Sequence, residues 1–215
     1  MNIYHKLLSH FGPQNWWPAE SPYEIIVGAI LTQNTSWKNV EKAINSLKSR
    51  DLLDERKILD LQKEGKLKNL IKPAGFYNIK SERLRNITEY ILKNYGSTEN
   101  MAGSDKDLYA LRRELLSIKG IGKETADTIL LYCLNRPIFV IDGYTKRIFS
   151  RYGIINNNLK YDEIRMIFES NIPKDSSIYK EYHALIVQLG KTHCKKRNPN
   201  CEGCPLSIEC KKIFN

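Results

Sequence analysis

The sequence predicts an all-α protein. No stretch of strand length alternates apolar and polar residues, whereas apolar residues recur at helical spacing along most of the chain. The chain has 215 residues, of which 41% are hydrophobic and 27% charged, so it is a folded protein able to bury a core. We therefore expect a compact bundle of short helices, arranged as one domain or two small lobes.

The predicted helices follow from apolar spacing and from the residues that start or break each element. Ser21-Pro22 opens the second helix, because serine is a good N-cap and proline fits the first turn. Four glycines between Gly65 and Gly103 mark breaks. The predicted helices span residues 3–11, 22–32, 36–49, 54–61, 63–71, 78–94, 105–116, 123–134, 143–151, 160–170 and 176–190.

The charge indicates a polyanionic partner. The chain carries 34 Lys and Arg against 24 Asp and Glu, a formal net charge of +10. Nucleic acid is favoured over a membrane surface, and a basic protein without such a partner is the alternative. Apolar runs such as Ile25–Leu31 are too short to cross a bilayer, and the first residues lack a signal-peptide pattern. We expect a cytoplasmic protein of prokaryotic type, associated with the nucleoid.

Four of the five cysteines lie close together near the C-terminus with the spacing C-x6-C-x2-C-x5-C. They are Cys194, Cys201, Cys204 and Cys210. Two disulfides, a zinc site and an iron–sulfur cluster all use four cysteines, and the single CxxC with longer arms favours the cluster over zinc. The fifth, Cys133, lies in an apolar helical run and is predicted to be a core residue.

Residues 115–127 indicate a helix-hairpin-helix motif. An apolar helix end runs into Gly120-Ile121-Gly122, and a second helix follows. Two glycines permit a tight turn and the close approach of another molecule, and the free N–H groups of the second helix can bind a phosphate. Lys119 and Lys123 flank that point, so these two lysines and the two glycines, Gly120 and Gly122, are candidate DNA contacts. The alternative is a helix–helix turn without a ligand.

Asp142 follows an apolar run, Val140-Ile141, and precedes a predicted helix. An aspartate in this position is most often an N-cap. It lies one helix beyond the hairpin, where a carboxylate beside bound DNA could stabilise a developing sugar cation or activate water. The two roles are compatible.

The hairpin, the Val140–Asp142 segment and the cysteine spacing together resemble the endonuclease III family of DNA glycosylases. The resemblance covers nearly the whole chain and implies a two-lobed all-α fold with DNA in the cleft between the lobes. It implies a six-helix barrel domain at 21–136, with the hairpin at about 108–134. The second lobe would comprise residues 1–20 and 137–215, with a [4Fe–4S] cluster bound by the four cysteines of loop 194–210. Asp142 takes the place of the family's catalytic aspartate.

One departure from the family pattern decides the expected reaction. Bifunctional members have a lysine, which forms a Schiff base with the sugar, where this chain has Glu124. A carboxylate cannot form an imine, and the adjacent Lys123 is rotated by about 100° around the helix. We therefore predict a monofunctional glycosylase, without AP-lyase activity.

The tryptophans point to the substrate. Trp16-Trp17-Pro18 and Trp37 resemble segments that line the base pocket in the 3-methyladenine DNA glycosylases of endonuclease III type, a branch that also has Glu at the position of Glu124. Core packing is the alternative for each tryptophan. Purines methylated at N3 or N7 are cationic, and indole faces prefer a cationic ring by roughly 0.5–2 kcal/mol. We predict that these five residues form the pocket for a flipped alkylated purine.

Other residues are predicted to contact duplex DNA that contains a damaged base. Gln33 and Asn34 match the family's segment beside the gap left by the flipped base, with Gln33 the better candidate and helix capping the alternative. The basic residues Lys195, Lys196 and Arg197 suit phosphate binding, or else form a solvated loop. The four histidines lack metal-site spacing and are assigned no role.

The same fold allows other functions. One alternative is a glycosylase for uracil or thymine mismatches or for oxidised pyrimidines. Another is a non-catalytic module that binds DNA damage. A monomer is expected in each case.

Overall fold

The computed structural model describes residues 1–156 and 158–214. The predicted all-α class is confirmed, because these residues contain no β-strand. No helix among them is long and apolar enough to span a membrane. The twelve α-helices of the described residues are α1 (Asn2–Phe11), α2 (Pro22–Leu31), α3 (Trp37–Lys48), α4 (Glu55–Lys63), α5 (Leu67–Leu70), α6 (Tyr77–Tyr95), α7 (Thr98–Ala102), α8 (Leu108–Ser117), α9 (Lys123–Thr128), α10 (Gly143–Tyr152), α11 (Tyr161–Asn171) and α12 (Ser176–Thr192).

Two differences from the predicted helices are informative. The helix predicted at 123–134 is α-helical only to Thr128 and continues as a π-helical turn, Ile129–Cys133. The short helix α7 was not predicted, since five residues are too few for a periodic signal. Cys133 lies in the buried π-helical turn, so the prediction that it is a core residue is confirmed.

The chain divides into two compact units, Ala19–Arg136 and Met1–Pro18 with Pro137–Asn215. The unit Ala19–Arg136 contains α2 to α9. Its central helix is α2, which packs against α3, α6, α7, α9 and the π-helical turn. Eight of the ten residues of α2 are buried, as expected for a helix that is apolar on all sides.

The other unit has an aromatic core. It contains α1 and α10 to α12, and α12 packs against both α1 and α10. The rings of Phe139 and Phe168 stack with centroids 4.6 Å apart, and Tyr179, Tyr182 and Phe149 pack edge-on around them. This core fixes the start of α10, where Asp142 lies, relative to α12.

Candidate functional site

The hairpin between α8 and α9 uses its two glycines differently. Gly120 has φ +97°, and a Cβ there would lie 2.4 Å from Cγ of Arg83. Only glycine fits both this backbone conformation and this neighbour. Gly122 caps α9 at φ −92°, and apart from its two chain neighbours no atom of the described residues lies within 4 Å of the place a Cβ would take. The backbone at Gly122 is thus open to another molecule.

A buried ion pair joins the two helices of the hairpin. Arg112 on α8 donates from Nε to Oδ1 of Asp127 at 2.6 Å and from Nη2 to Oδ2 at 3.0 Å. The Asp127 side chain is completely buried. Two parallel hydrogen bonds fix orientation as well as distance, so α8 and α9 are held as a rigid pair.

The Gln33 side chain is bound to this hairpin. Its Nε2 donates to Oγ1 of Thr125 at 2.9 Å and to the carbonyl of Gly120 at 3.3 Å, and its Oε1 accepts a hydrogen bond from Nη1 of Arg83. The neighbouring Asn34 is exposed, with a left-handed backbone at φ +53°. The two predicted DNA contacts therefore differ: one amide is engaged within the protein, and the other faces solvent.

A buried lysine holds the Gln33–Asn34 turn. Lys80 on α6 is 1% exposed, and its Nζ donates to the carbonyls of Leu31 and Ala74, each at 2.8 Å, and to Oγ1 of Thr35 at 2.6 Å. Burial, with the charge of Arg83, lowers the pKa of Lys80 to about 8. Neither Lys80 nor Arg83 was singled out by the sequence, because their partners are far away along the chain.

Asp142 caps α10, and the capping prediction is confirmed. Its Oδ1 accepts hydrogen bonds from the backbone N–H and the hydroxyl of Thr145, at 2.7 and 2.9 Å. Burial raises the pKa of Asp142, but the hydrogen bond and charge of His183 and the Thr145 bonds outweigh it, so this pKa lies below its usual value. The side chain is 13% exposed. Asp142 is thus an ionised carboxylate with a small opening to solvent.

The Trp16-Trp17-Pro18 segment belongs to the same unit as Asp142. The two indole rings have centroids 5.3 Å apart and planes inclined by 49°, and the peptide bond between them is cis. Nζ of Lys191 lies 5.9 Å from the Trp16 ring centroid. The two rings are half-buried and Pro18 is exposed, so part of the surface of each of these residues lies outside the core.

The remaining predicted pocket and hairpin residues belong to the unit Ala19–Arg136. Trp37 is the first residue of α3 and is half-buried. Glu124 is exposed in the first turn of α9. Lys119 and Lys123 are also exposed, on either side of the glycines.

The four C-terminal cysteines are free thiols, and all are partly exposed. Burial raises the pKa of Cys204, and the charges of Cys194, Cys201 and Cys210 raise it further, so these three sulfurs lie within electrostatic range of Cys204. Within residues 1–156 and 158–214, no three His, Cys, Asp or Glu side chains are close enough to hold a single metal ion. Four thiolates that each bind a different iron are farther apart than four that share one ion.

Hydrogen-bond donors lie beside the sulfurs of Cys194, Cys204 and Cys210. The backbone N–H of Lys212 lies 3.4 Å from Sγ of Cys210, Nη1 of Arg151 lies 3.5 Å from Sγ of Cys194, and a backbone hydrogen bond from Leu206 lowers the pKa of Cys204. Hydrogen bonds to sulfur are typical of iron–sulfur ligands. The donor set thus fits an iron–sulfur cluster.

The basic residues Lys195, Lys196 and Arg197 are exposed in the loop between the first two of these cysteines. Arg151 fixes the loop, because its guanidinium donates to the carbonyl of Lys195 at 2.7 Å and to that of Lys196 at 3.1 Å. The backbone of Lys195 and Lys196 is thus anchored to α10, and the side chains of all three basic residues are exposed to solvent.

A glycine hairpin with an open backbone and an aspartate-capped helix are the parts of a helix-hairpin-helix DNA glycosylase. Residues 27–174 match the HhH-GPD superfamily of base excision DNA repair proteins. The chain belongs to this superfamily. It is a base excision repair DNA glycosylase of HhH-GPD type, which acts on N-glycosyl bonds and binds DNA.

Particular relatives agree with this assignment. The chain is 63% identical over 208 residues to a Methanocaldococcus jannaschii protein provisionally named a DNA repair glycosylase, covering 97% of this chain and 94% of that one. It is 29% identical over 189 residues to the endonuclease III of Thermotoga maritima, covering 88% of this chain and 82% of that one.

Solved structures share the fold. The 3-methyladenine DNA glycosylase MagIII of H. pylori, bound to 1,N6-ethenoadenine, matches with a TM-score of 0.75 and 31% identity over 88% of this chain and 96% of that chain. A non-covalent endonuclease III–DNA complex matches with a TM-score of 0.82 over 98% of this chain and 93% of that chain, at 20% identity.

Proposed function

We propose that this protein is a monofunctional glycosylase that hydrolyses the N-glycosidic bond of flipped alkylated purines of the 3-methyladenine and 7-methylguanine type. The observation that carries the proposal is the paired, half-buried indoles of Trp16 and Trp17 in the unit that contains the ionised Asp142. The likeness to MagIII supports it, because that protein is a 3-methyladenine DNA glycosylase.

The chemistry of the substrate suits these residues. A purine methylated at N3 or N7 already carries positive charge, so its glycosidic bond is weakened and the leaving base needs little protonation. The enzyme must select the cationic base and stabilise the sugar cation. The electron-rich faces of Trp16, Trp17 and Trp37 would serve selection, and the Asp142 carboxylate would stabilise the oxocarbenium-like sugar and orient the attacking water.

The absence of lyase activity rests on Glu124. A Schiff-base mechanism needs an amine at the start of α9, and Glu124 supplies a carboxylate there. The proposal also gives Glu124, Trp37 and Pro18 a role in the base pocket. Borohydride trapping of the protein on DNA should therefore yield no covalent adduct, whereas a trapped adduct would refute this step.

DNA binding would use the hairpin and the basic loop. The backbone around Gly120 and Gly122, with Lys119 and Lys123, would hold one phosphate region without reading sequence. Of the two residues predicted at the gap, Asn34 is now preferred over Gln33. Two hydrogen bonds to the hairpin and one from Arg83 would have to break before Gln33 could enter DNA, whereas Asn34 is already exposed.

The C-terminal cysteines would bind a [4Fe–4S] cluster. Such a cluster supplies a rigid, redox-capable anchor when bound, and here Cys194 and Cys201 would hold both ends of the loop that carries Lys195, Lys196 and Arg197. Iron and acid-labile sulfide analysis with a visible absorption spectrum tests this directly. Zinc without sulfide would refute it. The proposal also includes action as a monomer, for which the sedimentation coefficient is the test.

The decisive experiment is a panel of duplexes that each carry 3-methyladenine, 7-methylguanine, uracil opposite guanine, or thymine glycol. Base release from the methylated purines is expected. Release from the pyrimidine lesions alone would favour the mismatch or oxidised-pyrimidine glycosylase, and binding without release would favour a damage-binding module. The Asp142→Asn variant should lose activity by about 10²–10⁴-fold while still binding DNA.

A further inference from the structure

His183 lies beside the carboxylate of Asp142. It is on α12, is 8% exposed, and its Nε2 is 3.5 Å from Oδ2 of Asp142. Nothing in the sequence connects the two residues, which are 41 positions apart. The proposed function assigns no role to this buried imidazole, although it lies next to the proposed catalytic carboxylate.

The two oxygens of Asp142 have different surroundings. Oδ1 accepts two hydrogen bonds from Thr145 and thereby caps α10. Oδ2 faces His183. Because Oδ1 accepts the hydrogen bonds of the helix cap, Oδ2 is the oxygen that would interact with a sugar cation or a water molecule.

The packing of α12 on α10 fixes the distance between His183 and Asp142. A Cβ on Gly190 of α12 would lie 2.2 Å from Cδ1 of Tyr144 on α10, so the two helices touch where glycine leaves room. Arg147 of α10 also donates from Nη2 to the carbonyl of Gly190 at 3.3 Å. The residues that follow His183, namely Ala184, Leu185 and Ile186, are buried. The imidazole is therefore presented by a firmly packed helix.

We propose that His183 is a positioning residue that holds Oδ2 of Asp142 in its reactive orientation. The proposal rests on the proposed function, in which Asp142 is the catalytic carboxylate. A proton on Nε2, which lies 3.5 Å from Oδ2, would restrain the second oxygen as Thr145 restrains Oδ1, and would thereby oppose rotation of the carboxylate about its Cβ–Cγ bond. A fixed anion stabilises a developing cation without reorganising during the reaction.

The test compares three variants in single-turnover excision from a duplex that carries one 7-methylguanine. His183→Leu removes the N–H, His183→Gln keeps an N–H of similar reach, and His5→Gln is the control at an exposed histidine of the same unit. We expect His183→Leu to lower the rate about 10- to 100-fold. The dissociation constant for DNA should stay within about twofold, and His183→Gln should recover most of the rate.

A purely structural role would give a different pattern. It would lower the melting temperature and the fraction of active enzyme, leave the rate per active molecule unchanged, and gain nothing from glutamine. That pattern would overturn the proposal. If His183→Leu fails to fold, His183→Asn replaces it, because the shorter amide does not reach Oδ2 and the same loss of rate is expected.

A double-mutant cycle separates this inference from the proposed function. In the Asp142→Asn background, His183→Leu should cause no further loss, because the charge it positions is gone. Additive losses, or an inactive Asp142→Asn beside a fully active His183→Leu, would overturn the positioning role alone. A fully active Asp142→Asn would overturn the catalytic role of Asp142 itself.

Discussion

The same substitution at the two glycines of the hairpin should affect different properties: stability at Gly120 and DNA affinity at Gly122. Gly120→Ala places a methyl group in a backbone at φ +97° and 2.4 Å from Cγ of Arg83. Gly122→Ala places it at φ −92°, in open space. The pair is well matched, since both changes add one methyl group and lie two residues apart.

The expected cost at Gly120 has two parts. A non-glycine residue with positive φ costs about 1–3 kcal/mol. The methyl group also displaces the stem of Arg83, which loses its hydrogen bond to Oε1 of Gln33, and a hydrogen bond from a charged donor contributes about 1.5–3 kcal/mol. Because the parts overlap as the turn relaxes, we expect Gly120→Ala to lower the free energy of unfolding by about 2–4 kcal/mol.

At Gly122 the stability effects nearly cancel. Alanine is a poorer N-cap than glycine by several tenths of a kcal/mol, but it restricts the unfolded chain by about 0.4–1 kcal/mol. The free energy of unfolding should therefore change by less than about 0.5 kcal/mol. DNA affinity should fall instead, about tenfold, because the methyl group occupies the space through which a phosphate would approach.

Urea unfolding measures the first quantity, and fluorescence anisotropy with an undamaged duplex measures the second at fixed salt. Normal DNA binding by Gly122→Ala would contradict a phosphate contact at the hairpin. Unchanged stability of Gly120→Ala would contradict the requirement for glycine at this position.

Four further predictions concern other parts of the site. Glu124→Lys restores an amine at the start of α9 and should produce a borohydride-trapped adduct on damaged DNA; continued absence of the adduct contradicts the proposed reason for monofunctionality. Asn34→Ala should weaken binding of a lesion duplex about fivefold with an unchanged melting temperature, whereas Gln33→Ala should lower the melting temperature; the reverse result favours Gln33 at the gap. Lys196→Gln should reduce the slope of log affinity against log salt by about 1, and an unchanged slope places this side chain away from phosphate. Folding lowers the pKa of Asp142, so the ionised carboxylate stabilises the protein above about pH 4, and this stabilisation is lost as the pH falls through the folded-state pKa. The difference in the free energy of unfolding between the unmodified protein and Asp142→Asn should therefore shrink between about pH 6 and pH 3. A difference that does not change with pH would contradict this cause.

The sequence predicts local features well because they depend on neighbouring residues. Ser21 accepts a hydrogen bond from the N–H of Glu24, and Pro22 occupies the first turn of α2, as their order along the chain indicates. The cap by Asp142 follows from the same reasoning. The π-helical turn at Ile129–Cys133 could not be predicted, because a π-helical turn has no apolar pattern that distinguishes it from an α-helix.

Contacts between distant segments could not be obtained in this way. Arg83 and Gln33 are 50 residues apart, and their hydrogen bond exists because α6 brings a long side chain across the open side of Gly120. The pattern T-Q-N-T offers two amides in succession, and nothing local says which of them is exposed. The tertiary hydrogen bonds of Gln33 change the preference to Asn34.

Asp142 combines a structural and a proposed chemical role, and its geometry explains why the roles do not compete. The cap uses Oδ1, whereas Oδ2 faces His183. A helix N-terminus favours a nearby anion, so the cap itself helps to keep the carboxylate ionised. Asparagine keeps the capping oxygen but not the charge, and alanine loses both. Asp142→Asn should therefore slow excision by about 10²–10⁴-fold at a small cost in stability, whereas Asp142→Ala should add a loss of about 1 kcal/mol in the free energy of unfolding.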